Sequence, residues 1–305
     1  MYKAHGALLL RGFAFGVDDF RRFAEQFCAA SVYNDTRNRL VLDAEHNIQS
    51  VDRGVDPFPL HPELSREPWK PDVCFFGCLD APSAGGETTI CDGIELVRRL
   101  PAEVRDGLSG RRLLHVMGAT PARLMYWLGT ETPGDAQLAA PPAGCPFEFR
   151  RIGAAIAVTF SRPALHRPMF AEGPAFGNFL LFARARDNRF FPVLDDEKPV
   201  PDAWVDAIRA AGEAIAVPIA WRRDDLLMLD NTRFMHGRRA ILDPGERRIA
   251  SYFGYLRFAP PSTRSPPIRR GAGPASGRCG SGTARVVFSF AESAPARSPT
   301  RPPIE

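Results

Sequence analysis

Residues 226–238 read LLMLDNTRFMHGR, and this segment places a polar cluster directly after a run of apolar residues. The apolar run, 226–229, is typical of a strand that is buried on both faces. Asp230 and Asn231 favour a turn, because their side chains can hydrogen-bond to the backbone two residues further on. A single histidine after such a turn, here His236, is more often a hydrogen-bonded structural residue than a ligand. Alone, the segment predicts a buried strand and a turn, and it does not assign a role to His236.

Two further segments contain histidine, carboxylate and arginine side chains that could belong to the same site as His236. HPE stands at 61–63, and RR at 247–248 follows His236 by eleven and twelve residues. In extended backbone, residues i and i+2 point to the same side about 6.6 Å apart, so His61 and Glu63 can converge on one ion. Taken singly, each segment has a more ordinary explanation: a surface histidine beside a solvated glutamate, and a charged strand edge.

The three segments together fit one kind of metal site. Two histidines and one carboxylate, two of them at His-x-Glu spacing and the third far downstream, match the facial triad of non-haem Fe(II) oxygenases. Such a triad leaves coordination positions open for a 2-keto acid and for O₂. The distal carboxylate of 2-oxoglutarate needs a planar bidentate partner, which arginine offers and lysine does not. The combination therefore predicts Fe(II) as cofactor, with 2-oxoglutarate and O₂ as co-substrates.

On these residues the sequence resembles the taurine dioxygenase-like (TauD/TfdA) superfamily of Fe(II)/2-oxoglutarate-dependent dioxygenases. The resemblance covers most of 1–258, from GALLLRGF at 6–13 through PSAGGET at 82–88 to the segments described above. It implies a mainly β fold with flanking helices, built on a double-stranded β-helix, which is the cupin-like jelly roll.

The resemblance also implies roles for individual residues. Three residues become the iron ligands and the catalytic centre: His61, Glu63 and His236. Arg248 becomes the partner of the distal carboxylate of 2-oxoglutarate, and the Thr88 hydroxyl supports the same carboxylate. Arg247 is the rival for the arginine role. We prefer Arg248 because the family's arginine is the second of such a pair, and strand alternation then aims Ala250 and Tyr252 at the same face of the pocket.

Two departures from the commonest family pattern narrow the expected substrate. The family's usual carboxylate is aspartate, and Glu63 resembles instead the subgroup of clavaminate synthase and the syringomycin aspartyl hydroxylase, which often modifies amino acids. Tyr252 stands where taurine dioxygenase has its sulfonate-binding arginine, which disfavours taurine. A carboxylate at position 63 also disfavours a related halogenase.

The resemblance thus implies hydroxylation of an unactivated C–H bond of a small amino-acid-like substrate, free or carrier-bound, with release of succinate and CO₂. The same chemistry can desaturate or cyclise a substrate. A non-catalytic jelly-roll binding module is the alternative in another class.

Hydrophobic spacing predicts the surrounding elements. Strands are expected at 6–13, 73–79, 87–91, 155–160, 216–221, 226–230 and 248–258. Amphipathic helices are expected at 18–30 and 201–214. Asp92 can cap a further helix, and Pro101 fits the first turn of the next one. The middle, 113–186, is expected to consist of strands and loops.

The charge is unevenly distributed along the chain. Apolar residues make up 45% and charged residues 24%, an ordinary globular composition. The formal net charge is +4, but seven arginines against two glutamates give 261–305 a charge of +5, which leaves −1 for 1–260. We expect an oxygenase domain at 1–260 and a disordered Pro/Gly/Ser/Arg-rich tail at 261–305. The scattered arginines lack aromatic interleaving, so we expect no nucleic-acid partner.

The cysteines and the apolar runs indicate a cellular compartment. Cysteines stand at 28, 74, 78, 91, 145 and 279, spacings that match no C-x-x-C pair. Cys74 and Cys78 would share one face of a strand and are interpreted as core residues. Because the chain shows no signal-peptide pattern and no apolar stretch of membrane length, we expect a cytoplasmic protein with reduced thiols, a small-molecule substrate and no membrane partner.

Some polar residues keep two interpretations. Arg184 and Arg186 could face a substrate carboxylate, or they could form a solvated pair before a turn, which is the commoner arrangement. His115 and His166 are interpreted as structural.

Overall fold

The computed structural model describes residues 1–36, 38–186, 191–243, 245 and 247–260. The expected tail at 261–305 lies outside the described residues. Eight helices are described: α1 (Tyr2–His5), α2 (Val17–Phe27), α3 (Gly93–Arg99), α4 (Ala102–Leu108), α5 (Pro121–Leu128), α6 (Asp135–Ala139), α7 (Leu180–Ala185) and α8 (Asp202–Ile215). Among these described helices, none is both long and apolar enough to cross a membrane.

The described strands form three antiparallel sheets. The major sheet contains β1 (Ala7–Leu10), β2 (Cys28–Ser31), β3 (Val41–Asp43), β4 (Ile48–Ser50), β6 (Val73–Asp80), β13 (Leu226–Asp230) and β15 (Arg248–Leu256). The minor sheet contains β5 (Phe58–His61), β7 (Thr88–Asp92), β12 (Val217–Ile219) and β14 (Phe234–Arg238). The third sheet contains β8 (Arg112–Gly118), β9 (Glu148–Ile152), β10 (Ala155–Pro163) and β11 (Val193–Leu194).

The major and minor sheets pack face to face and enclose one core. Phe76 of β6, Leu229 of β13 and Phe253 of β15 pack there with Ile219 and Phe234 of the minor sheet. Alternate residues of each strand point into this interior, as the period of two in a strand requires. Two facing sheets of this kind form the predicted jelly roll, and the mainly β fold class is confirmed.

Helices cover the outer face of each sheet. Phe20 and Ala24 of α2 pack against Phe75 and Tyr252 on the outside of the major sheet. Residues of α3, α4 and α8 pack with Met235 and other outward-facing residues of the minor sheet. Since both outer faces are buried, both the odd and the even residues of the central strands are apolar. This explains the continuous apolar runs at 73–79 and 226–229.

Most predicted elements of the two main sheets are present, with changes at their ends. The strand at 226–230 and the helix cap at Asp92, whose side chain accepts from the Ile94 amide, are as predicted. The helix expected at 18–30 ends at Phe27, because 28–31 forms β2 and pairs with β15. Pro101 precedes α4 as its N-cap.

Two predictions of secondary structure are incomplete. The segment 113–186 contains α5, α6 and α7 as well as strands, and helices of five to eight residues are too short to show a clear period in the sequence. The strand β14 was not predicted, although it contains His236. Cys74 and Cys78 share the interior face of β6, as expected, and are buried free thiols.

Candidate metal centre

The two proposed histidine ligands are cross-strand neighbours in the minor sheet. His61 is the last residue of β5 and lies directly opposite His236 of β14. Directly opposite residues in an antiparallel pair point to the same face, here the jelly-roll interior. The imidazole centroids are 4.6 Å apart, and both side chains are buried. Pairing of β5 with β14 therefore brings together residues that are far apart in the sequence.

Glu63 is held in place at both its backbone and its carboxylate. The Asn231 side chain accepts from the Glu63 amide at 2.8 Å and donates to the Glu63 carbonyl at 3.1 Å. The Asn34 amide donates to Oε1 at 2.5 Å, and the Arg39 guanidinium lies 3.4 Å from Oε2. The Glu63 carboxylate is buried, and its Oε2 lies 3.6 Å from Nε2 of His236.

The protonation states suit a cation. The Nδ1 of His61 lies 2.8 Å from the carbonyl oxygen of Pro59, and donation to that oxygen leaves Nε2 with a free lone pair. Burial, together with neighbouring His236, lowers the pKa of His61 to about 3, which keeps the ring neutral. Burial alone would raise the pKa of Glu63, but Arg39 and the two histidines outweigh it and hold that pKa below its usual range.

The three donor groups fit a first-row metal ion. The ligand atoms of His61, Glu63 and His236 all lie within 4.8 Å of one another. Nitrogen and oxygen donors bound at about 2.0–2.2 Å from one ion are about 3 Å apart at right angles, so small side-chain movements suffice for coordination. Two imidazoles and one carboxylate are the donor set of the non-haem Fe(II) triad.

Arg247 directly precedes β15 and Arg248 is its first residue, and the two side chains have different partners. Arg248 is exposed and donates to Asp80 at 2.8 Å. Ala250 and Tyr252, which alternate with it, pack against α2 on the outside of the major sheet. The prediction that Ala250 and Tyr252 face the pocket is wrong, because both pack with α2 on the outside of the major sheet.

Arg247 has the parity of Ile249 and Phe253, which pack in the jelly-roll interior. Its Nε donates to the carbonyl oxygen of Gly86 at 2.9 Å, within the PSAGGET segment at 82–88. Gly86 has a φ of +67°, and a Cβ there would lie 2.9 Å from the Arg247 side chain, so glycine is needed for this close approach.

Thr88 lies in the same interior, near the buried residue Arg238. The Thr88 hydroxyl accepts from Nε1 of Trp221 at 3.0 Å, and Thr88 is opposite Arg238 in the pairing of β7 with β14. Arg238 donates to the backbone carbonyl oxygens of Asp52, Gly54 and Asp56. Burial, reinforced by the Arg238 charge, lowers the pKa of Arg247 to about 10. The half-buried Arg247 and the buried Arg238 thus place two positive charges in one region, a setting that favours an anion.

Several residues around the triad have no recognisable signal in the sequence. Asn34 and Arg39 lie in a segment without any recognisable pattern, and only the fold brings them to Glu63. Asn231 belongs to the segment 226–238, whose sequence predicts a turn at this residue. Arg238 is two residues after His236, so strand alternation would have placed both on one face had β14 been predicted.

A jelly roll with two histidines and one carboxylate converging in its interior defines the class of mononuclear non-haem iron oxygenases. Residues 1–252 match the family described as taurine catabolism dioxygenase TauD, TfdA family. The chain belongs to this family and is a 2-oxoglutarate-dependent dioxygenase, with Fe(II), 2-oxoglutarate and O₂ as cofactor and co-substrates. The predicted family, enzyme class and cofactors are confirmed.

Individual relatives agree with this assignment. A clavaminate synthase-like protein of Arabidopsis thaliana is 28% identical over 269 residues, which cover 81% of each chain. The crystal structure of a taurine dioxygenase from Burkholderia xenovorans superposes with a TM-score of 0.56 at 12% identity, over 85% of this chain and 79% of the other. At this identity the second similarity supports the fold.

Proposed function

We propose that this enzyme hydroxylates an unactivated C–H bond of a small amino-acid-like substrate. One atom of O₂ enters the substrate as the hydroxyl oxygen and the other enters succinate, while 2-oxoglutarate loses CO₂. The observation that carries the proposal is the convergence of three buried donor groups, with ligand atoms within 4.8 Å of one another, inside the jelly roll. Fe(II), when bound, supplies the activation of O₂.

The metal ligands in this proposal are His61, Glu63 and His236. Pro59 orients the His61 ring through Nδ1, so that Nε2 is the coordinating atom. Asn231 holds the Glu63 backbone, and Asn34 and Arg39 hold its carboxylate. Outer hydrogen bonds of this kind orient ligands and tune their basicity.

We further propose Arg247, and not Arg248, as the partner of the distal carboxylate of 2-oxoglutarate, with Thr88 beside it. Among the described residues, the terminal guanidinium nitrogens of Arg247 have no hydrogen-bond partner, since only Nε donates, to Gly86. A fork of two such donors matches a carboxylate. Arg248 is instead occupied by Asp80 on the outer face.

The amino-acid-like substrate follows from the subgroup that Glu63 indicates, and the clavaminate synthase-like relative agrees with that subgroup. We propose a cytoplasmic enzyme with its oxygenase domain at 1–260 and 261–305 as an appended tail. Free amino acids and carrier-bound aminoacyl groups both fit this proposal.

Anaerobic spectroscopy and product analysis test the proposal that the protein is an Fe(II)- and 2-oxoglutarate-dependent hydroxylase. Fe(II) plus 2-oxoglutarate should give a weak metal-to-ligand charge-transfer band in the visible, and succinate should form when O₂ and a suitable amino acid are added. His236→Ala should lose the band. A wild-type protein with no band and no succinate from any substrate in a panel of amino acids would contradict the proposal.

A further inference from the structure

A cavity of about 250 Å³ opens beside the metal ligands His61 and Glu63. Binding sites for drug-sized ligands are usually larger, about 300–1,000 Å³, so this cavity suits a small molecule. Its walls combine an aromatic surface with arginines. Walls of this composition favour a substrate that has both an apolar group and a negative charge.

One face of α7 and its two caps forms the aromatic part of the wall. Phe179, Phe182 and Arg186 follow at i, i+3 and i+7, so they lie on the same side of the helix. The other side, with Leu180 and Leu181, is buried in the core outside the minor sheet. The packing of α7 thus directs two phenylalanines and one arginine toward the cavity.

The aromatic wall is continuous with a metal ligand. Phe179 and Phe182 are stacked with ring centroids 4.7 Å apart, and Phe182 lies 4.9 Å from the His61 ring. Phe58 of β5 completes the wall, 5.4 Å from Phe182. All three phenylalanines are only half-buried and line the cavity. A planar or branched apolar group would cover them.

The guanidinium group of Arg186 lies at the edge of this aromatic wall. Its guanidinium carbon lies 5.0 Å from the Phe58 centroid and 5.4 Å from the Phe182 centroid, in cation–π contact with both. Within the described part of the chain, no acidic side chain pairs with it. Arg184 contrasts with it, since that guanidinium is buried and donates to Asp202 at 3.0 Å. The sequence allowed the same two interpretations for Arg184 and Arg186, and in the structure the surroundings of the two side chains differ.

The other charged groups that line the cavity are already paired. Arg39 contacts the Glu63 carboxylate at 3.4 Å, and Arg66 lies 3.9 Å from Asp35. Asp52 lies 3.9 Å from Arg238 and accepts from backbone and side-chain amides. Three arginines against Glu63 and Asp52 leave the lining with one positive charge, and among the described residues no acidic side chain pairs with Arg186.

We infer that the substrate is a free carboxylic acid with a planar or bulky apolar group, whose carboxylate binds Arg186 while the apolar group lies on Phe58, Phe179 and Phe182. This inference rests on the proposed function and narrows it, because a thioester to a carrier protein has no free carboxylate at that position. Arg186 is then a residue that determines substrate specificity.

Calorimetric titration with two probes of equal shape tests the inference. The protein is loaded anaerobically with Fe(II) and saturating 2-oxoglutarate, and titrated with 3-phenylpropionate or with 3-phenylpropionamide. The acid should bind about tenfold or more tightly than the amide, because a charge-assisted hydrogen bond contributes that much. Arg186→Met should bring the acid to the level of the amide, Arg186→Lys should keep part of the preference, and Phe182→Ala should weaken both probes.

The control variant is Arg98→Met, which removes an exposed arginine of α3 and should leave both affinities unchanged. Equal binding of acid and amide, or a preference that survives in Arg186→Met, would overturn the inference. So would the absence of binding of either probe to wild-type protein that shows the charge-transfer band. Absence of that band would instead overturn the proposed function, and the inference with it.

Discussion

Two regions of the molecule contain buried or half-buried histidines, and they differ in what surrounds the rings. At the candidate metal centre, His61 and His236 face each other beside the Glu63 carboxylate. Near Arg162, His115 stacks on Phe160 with centroids 4.7 Å apart, and Nε2 of His166 lies 2.7 Å from the carbonyl oxygen of Thr232. We call these the triad region and the Arg162 region.

Burial has the same effect on the pKa in both regions. The pKa of His115 is lowered to about 3 by burial and by Arg162, and that of His166 to about 3 by burial and by Lys70. The pKa of His61 falls to about 3 as well, also chiefly through burial. A neutral buried imidazole is therefore no sign of a ligand. The carboxylate partner distinguishes the triad region, because the Arg162 region surrounds its histidines with cations.

The largest expected effect is on metal affinity. His236→Ala should weaken Fe(II) or Mn(II) binding by more than about 100-fold, since even the loss of outer hydrogen bonds to ligands costs about 10–100-fold. His115→Phe should leave the affinity unchanged. Equilibrium titration under anaerobic conditions measures both. Wild-type affinity in His236→Ala would remove the distinction between the two regions.

Metal binding should also stabilise the fold through the triad region. At a metal concentration of 100 times Kd, the free energy of unfolding should rise by about 2.7 kcal/mol, because the ion binds the native state only. Thermal denaturation with and without Mn(II) detects the rise. It should vanish in Glu63→Gln and persist in His115→Phe, and a rise of wild-type size in Glu63→Gln would contradict the assignment of Glu63.

The adjacent residues Arg247 and Arg248 allow a comparison within the triad region. Arg247→Met should weaken 2-oxoglutarate binding by about tenfold to a hundredfold, the value of a charge-assisted hydrogen bond. Arg248→Met changes the neighbouring residue on the outer face and should have little effect. Titration of the Fe(II)-loaded protein with 2-oxoglutarate measures the two constants. The reverse ranking would restore Arg248 to the role.

The smallest expected effect is on the pH dependence of the free energy of unfolding, and it comes from the Arg162 region. Between about pH 6.5 and pH 5 an unfolded histidine takes up a proton, while native His115, with its pKa lowered to about 3, does not. The unfolded state then binds more protons, so stability falls as the pH falls through this window. Each such histidine contributes a slope of up to about 1.4 kcal/mol per pH unit.

Urea unfolding at pH 7, 6 and 5 can isolate the His115 contribution. The loss of stability should be smaller in His115→Phe by the share of one histidine. The comparison with wild type is needed because Glu67 and Asp230, whose pKa values are raised by burial, change the total slope in the opposite sense. Identical slopes for both proteins would show that His115 is not held neutral.

Sequence patterns predicted those elements in which the spacing of the apolar residues matches the residues that the structure buries. The strand at 226–230, the helix cap at Asp92 and the amphipathic helix that became α2 all have patterns that a single segment determines. The triad was predicted from residue type and order. Its convergence needed β14, and FMHGR is a short strand after a turn, with neither a long apolar run nor clear alternation.

The remaining residues of the site depend on long-range packing. Strand parity leaves two choices for the arginines of β15, and the contact of Tyr252 with α2 decides between them. Asn34 and Arg39 reach Glu63 from a segment without a pattern. Arg186 differs from Arg184 only through the way α7 packs, which no local pattern shows.

The most direct measurement is a crystal structure of the protein grown anaerobically with Mn(II) or Fe(II), with anomalous diffraction collected at the metal edge. The account predicts one anomalous peak within coordinating distance of Nε2 of His61, Nε2 of His236 and a carboxylate oxygen of Glu63. A peak bound elsewhere, or a triad without a peak in protein saturated with the metal, would contradict it.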